Sequence, residues 1–217
     1  LVRSLNALLL VMLPVAAGIL LLAGPMVRVA FQRGAFDERA VELTVFALVF
    51  YALGLPAMAL REIAVRAFYS LQDTWTPMRI GIATVALNVV LCLLLVRPLA
   101  HGGLALATSL SLTAGYAALL WALRRKVGSI GGRELLVSGS KMLFATLVMS
   151  AAVAALLRYL PRLGLQGLAG QALPLFAGAG LGAAVYFALI WALRVTEFEW
   201  VLERVRRRLP RKHREKM

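Results

Sequence analysis

The chain is poor in charge, poor in cysteine and poorer still in acids. Only 16% of its 217 residues are charged and 61% are hydrophobic, where a soluble domain carries about 25% charged and about 45–50% apolar residues. That shortage excludes a water-soluble enzyme and a disordered tail. One cysteine, Cys92, lies inside an apolar run, which excludes a disulfide scaffold and a thiolate metal site. Ten Asp+Glu stand against 24 Lys+Arg, so paired catalytic acids are scarce. His101 and His213 each stand without a ligand-spaced partner. The chain opens on Leu1 and lacks the charged start and small-residue cleavage site of a signal peptide. A piece of a longer protein is the expectation.

What is present is long apolar runs. Ala7–Val27 contains 21 residues and no charge, and roughly 20 apolar residues in a helix cross a bilayer. With a mean hydropathy of +0.83, the pattern predicts an all-α, polytopic membrane protein with six transmembrane helices. Their expected spans are about 5–27, 44–69, 78–96, 102–123, 141–157 and 173–193. Gly54-Leu55-Pro56 reads as an interruption of the second span. Asp73 or Thr74 reads as a helix cap and Pro77 as a first-turn residue. The expected organisation is four spans over residues 1–126, a connector at 127–140, a helix pair at 141–193 and a basic tail at 194–217.

The net charge of +14 does not point to nucleic acid, because the basic residues cluster at the ends of apolar runs. Sixteen Lys and Arg fall on one side of the expected membrane, six on the other and two inside the second span. The positive-inside rule then puts both ends in the cytoplasm.

Three sets of residues are candidates for a site. Arg61, Glu62 and Arg66 are charges in the second span, where ionisable groups usually face a cavity or a partner. Glu62 and Arg66, at i, i+4, can pair on one helix face. The set reads equally as a local pair at the membrane boundary, with arginines snorkelling to water. Thr84, Asn88 and Cys92 make a polar stripe on the third span, and an amide that deep needs a neighbouring helix or an ion. In the tail, Arg206, Arg207 and Arg208 are candidates for anchoring anionic lipid headgroups, or serve as a topology signal alone. Gly178 and Gly182, four apart, offer a smooth face for helix packing or a lipid chain. The glycines of Phe176–Ala184 lack the strand and acidic residue of a dinucleotide loop.

Phe31-Gln-Arg-Gly-Ala-Phe36, Arg66-Ala-Phe-Tyr-Ser-Leu-Gln-Asp-Thr-Trp-Thr-Pro77 and Gly103-Leu-Ala-Leu-Ala-Thr-Ser109 together resemble the MurJ (MviN) family. These are the bacterial lipid II flippases of the MOP exporter superfamily. The resemblance runs the length of the chain and corresponds to the last six of fourteen helices. It implies a multi-pass protein of the bacterial cytoplasmic membrane, working in peptidoglycan biosynthesis and cell shape. The implied activity is the flipping of lipid II by alternating access, without covalent chemistry. Its implied partners are lipid II, membrane lipids and the cell-wall synthesis machinery. The family's sodium site matches Asn88 and Thr108, with Cys92 where an acidic ligand would stand. Sodium or the membrane potential would then drive transport, with no other cofactor. A related exporter for drugs or other lipid-linked oligosaccharides shares this architecture. A polyprenyl-phosphate enzyme of the membrane is disfavoured, because the acids fall on opposite sides of it.

Overall fold

The computed structural model describes residues 2–34, 36–128, 132–160 and 167–193. The tail with Arg206, Arg207 and Arg208 lies outside them. Among the described residues the chain is helical throughout, in five elements: α1 (Val2–Phe31), α2 (Glu38–Ser70), α3 (Trp75–Val127), α4 (Gly132–Tyr159) and α5 (Gly167–Ala192). All five are long and apolar enough to cross a membrane. The chain is a multi-pass membrane protein.

The first corner follows from local chemistry. Gly34 takes a φ of +59°, which costs glycine little. Asp37 then caps α2, its carboxylate accepting the Ala40 N–H at 2.9 Å. Glu38 in the first turn of α2 pairs with Arg28 in the last turn of α1 and accepts from Gln32 Nε2 at 2.8 Å. Each charge also suits the dipole of the helix end it occupies.

α2 does not break at Gly54-Leu55-Pro56; it runs on as one helix of 33 residues. A neighbouring helix supports that turn. The Ser109 hydroxyl donates to the Phe50 carbonyl at 2.6 Å, and Gly54 lets the Ser109 backbone approach to 2.8 Å from where a Cβ would stand. Pro56 takes the helical partner from the Ala52 carbonyl, and the Ser109 bond steadies the turn just before it rather than replacing that partner.

α3 has 53 residues, about 80 Å at 1.5 Å per residue and far too long for one ~30 Å crossing. It folds back at Ala100, whose φ of 48° and ψ of −130° are not helical. The arms, 75–99 and 101–127, form a hairpin in which Thr84 meets Gly115 and Leu95 meets Gly103. Pro98, which lacks an N–H, and Gly102-Gly103 favour the reversal there. The two arms supply the third and fourth passes, so six apolar passes come from five continuous helices.

α4 begins at Gly132, nine residues before the expected start at Lys141. Residues 132–140 are therefore helix and not connector. Glu134, Leu135 and Leu136 are good helix formers, and the stretch extends the helix beyond its apolar run.

α2 and α3 pack together, with Phe68 buried among Ala64, Leu119 and Leu123. α4 and α5 pack against α1 around Leu10, Met142, Met149, Tyr186 and Ile190. The Tyr186 hydroxyl donates to the Leu10 carbonyl at 2.7 Å. Gly178 faces Leu22 and Gly182 faces Val153, so this glycine pair serves helix packing. α1 is the element that touches both groups.

Candidate functional site, a cationic groove between two helices

α2 and the first arm of α3 diverge to leave a groove of about 970 Å³. Arg61, Glu62 and Arg66 line its α2 wall; Met78, Gly81, Ile82 and Val85 line the other. Tyr69, Thr74 and Pro77 stand at the end where the chain turns from α2 to α3. The structure thus gathers all three charged candidates of the second span into one cavity.

The pairing differs from the expected one. Glu62 reaches Arg61, at 3.8 Å, and no Glu62–Arg66 ion pair forms among the described residues. A distance of 3.8 Å with Glu62 60% exposed makes a loose contact, worth little by itself. Arg61 is the more enclosed partner, with 28% of its side chain exposed. Its guanidinium lies against Gly81, 3.6 Å from where a Cβ would stand. Its Nε is buried without a hydrogen-bond partner. A buried guanidinium N–H left unmatched is costly. Arg66, five residues on, is exposed to the groove. Two guanidinium groups against one carboxylate leave the groove cationic, and a planar guanidinium suits bidentate contact with phosphate oxygens.

Asn88 and Thr108 also come together, across the α3 hairpin. Asn88 Nδ2 donates to Ser111 Oγ at 3.2 Å and lies 3.4 Å from Thr108 Oγ1. The Cys92 thiol donates to Asn88 Oδ1 at 3.8 Å. Thr108 and Ser111 spend their own hydroxyl protons on the carbonyls of Leu104 and Thr108. These groups already bond one another, and the set holds no carboxylate, the ligand hard cations favour. Among the described residues no three His, Cys, Asp or Glu side chains gather as a metal site. The cluster does what polar groups do between membrane helices, holding two arms together.

Asp73 and Lys126 were not candidates from the sequence, yet they form a tight pair at the groove's end, 2.7 Å apart. Asp73 stands in the Gln72-Asp73 motif. Lys126 reads in the sequence as one of several charges fixing topology, and a separation of 53 residues hides the contact.

The profile of one family, described as "Lipid II flippase MurJ", matches residues 1–169. The chain belongs to the MurJ family. Relatives named "Probable lipid II flippase MurJ" are 32% identical in Rhizobium meliloti, over 94% of this chain and 39% of that protein, and 32% identical in Vibrio cholerae, over 84% and 35%. A third, from Rickettsia prowazekii, is 31% identical over 88% of this chain and 38% of its own length. A solved structure, "Lipid II flippase MurJ, inward closed conformation", superposes with a TM-score of 0.72 at 22% identity, covering 86% of this chain and 36% of that one. That likeness establishes the MurJ fold for these helices. The chain spans less than two-fifths of the length of these curated relatives.

Proposed function

We propose that the chain is the part of a lipid II flippase that offers a cationic groove to the lipid's pyrophosphate. The observation that carries this is Arg61, largely enclosed in an apolar-walled groove with its guanidinium end against Gly81, together with an exposed Arg66 five residues on. In this reading Arg61 and Arg66 hold phosphate oxygens. Glu62 lies loosely against Arg61 and is displaced when the headgroup arrives. The apolar wall of Ile82 and Val85 stays against the lipid. Transport proceeds by alternating access, in which bodies of helices move around a shared site. Nothing is made or broken covalently, so the chain acts as a transporter and not as an enzyme. In this reading Asn88 and Thr108 hold the two arms of α3 together.

The same reading places the chain in the bacterial cytoplasmic membrane with both ends cytoplasmic. Arg206, Arg207 and Arg208 meet anionic headgroups, each basic residue worth about 1 kcal/mol near such a surface. The cell-wall synthesis machinery supplies and consumes the lipid.

Complementation in a strain depleted of its own flippase tests the groove. Arg61→Ala and Arg66→Ala are expected to impair growth at normal protein abundance. Loss of a charge-assisted hydrogen bond is worth about 1.5–3 kcal/mol, or about 10–100-fold in substrate binding. Arg→Lys keeps the charge and loses the planar fork, so it should restore only part of the activity. Full growth with both arginines replaced by alanine at normal abundance would reduce them to boundary anchors.

A further inference from the structure

The end of the groove is formed by the corner between α2 and α3, and that corner is fastened to the far arm of α3. Asp73 Oδ1 accepts the Thr76 N–H at 3.0 Å; Oδ2 accepts the Thr76 hydroxyl and the Lys126 ammonium, each at 2.7 Å. The Asp73 side chain is 11% exposed. The Lys126 ammonium, aided by the Thr76 N–H and hydroxyl, holds its carboxyl well below the usual carboxylate range.

The backbone of the corner is also drawn tight. The N–H groups of Leu71 and Asp73 both donate to the Phe68 carbonyl at 3.0 Å, and that of Gln72 donates to Tyr69 at 3.0 Å. Gln72 takes a φ of +58°, uncommon outside glycine. Phe68 itself is buried against Leu119 and Leu123. Leu119, Leu123 and Lys126 follow at i, i+4 and i+7, on one face of the helix. The second arm therefore grips the corner twice, through the Phe68 ring and, one turn further on, through the Asp73 carboxylate. Tyr69, Thr74 and Pro77, which line the groove's end, flank Asp73 on both sides in the chain.

We propose that Asp73 and Lys126 are a positioning pair for the groove: by tying the start of α3 to its end, they fix how far the first arm stands from α2 and hence the spacing at which Arg61 and Arg66 meet a pyrophosphate. This rests on the reading of the groove as the headgroup site. An exposed ion pair contributes little stability, but three converging bonds to one enclosed carboxylate set geometry, which is what a binding site needs. Neither Asp73 nor Lys126 lines the groove, so each acts through the placement of others.

The test uses the full-length transporter in nanodiscs, in a Cys92→Ala background, with nitroxide labels at Met58 and Val89. Both positions are exposed and lie outside the groove lining. Lys126→Met, which keeps the stem and loses the charge, should broaden the Met58–Val89 distance distribution. It should also weaken binding of a fluorescent undecaprenyl-pyrophosphate-linked precursor by about tenfold, as for one loosened charge-assisted bond. Asp73→Asn should do the same, and Lys126→Arg should restore both readouts. An unchanged distance distribution in Lys126→Met and Asp73→Asn would overturn the pair's role. So would normal affinity in the surviving protein when only abundance or melting temperature falls. Arg61→Ala and Arg66→Ala separate the two ideas. Normal binding by those variants sinks the headgroup reading itself, whereas weakened binding there beside normal binding in Lys126→Met sinks the positioning pair alone.

Discussion

Gly54 sits where a methyl group has no room. A Cβ there would stand 2.7 Å from Ser109 Oγ and 2.8 Å from Ser109 Cα, and backbone cannot swing aside as a flexible side chain can. Gly54→Ala is therefore expected to cost about 1–3 kcal/mol, the usual range for overpacking, despite alanine's better helix propensity. Gly180 is the control, because nothing lies within 4 Å of its would-be Cβ. Gly180→Ala should be neutral or slightly stabilising, by up to about 1 kcal/mol. Thermal melting in detergent distinguishes the two. Asp73 makes a prediction of a different kind. Its folded pKa is depressed, so its contribution is present above the unfolded carboxylate pKa of about 3.9 and is lost as pH falls through the folded value. The gap in melting temperature between the wild type and Asp73→Asn should stay constant from about pH 8 to about pH 5 and close only in stronger acid.

At the scale of elements, the α3 hairpin shows what holds two membrane helices together once water is gone. Asn88 bridges the arms to Thr108 and Ser111. Interhelical hydrogen bonds in membranes average about 0.6 kcal/mol and reach about 1.7. Asn88→Ala should lower stability by an amount in that range, and the protein should melt at the same temperature in NaCl as in KCl. Greater protection by sodium, lost in Asn88→Ala, would restore an ion site to this hairpin. The passes were legible because each is an apolar run of bilayer length, and the Arg97–His101 break was legible from its proline, charge and glycine neighbours. Gly54-Leu55-Pro56 misleads because rules drawn from helices in water treat proline as a break, and the helix that supports it here arrives from residue 109. Arg61, Glu62 and Arg66 stood out because charge in an apolar span is costly. Their actual pairing did not, since i, i+4 spacing says which side chains can meet and not which do. Lys126 was invisible as the partner of Asp73, because no local pattern links residues 53 apart.

Across the whole molecule, side-chain contacts sort the corners into two ends, and the charges agree with the sorting. The Asp73–Lys126 pair puts the α2–α3 corner at the same end as the basic Arg124-Arg125-Lys126 turn. At the opposite end of α2, Phe46 lies near His101, with ring centroids 6.5 Å apart, and Arg28 pairs with Glu38. Lys141 donates to the Leu193 carbonyl at 3.3 Å, which brings the basic side of α4 to the end of α5. Trp75, Trp121 and Trp191 are all strongly exposed and all belong to the Lys-rich end, with Arg125 lying 3.7 Å over the Trp121 ring. Exposed tryptophan beside Arg and Lys is how a helix end sits at the headgroup level. On the positive-inside rule, the reading proposed above makes that end the cytoplasmic one. Single cysteines at Gly34 and Gly167, in a Cys92→Ala background, should therefore react with an impermeant thiol reagent added outside intact cells. A cysteine at Gly131 should react only after the cells are opened. The reverse pattern would turn the molecule over in the membrane and leave the Asp73–Lys126 corner on the outer face. Labelling at all three positions from outside would break the six-pass arrangement itself, most directly at α4, whose ends must lie on opposite sides for the count to stand.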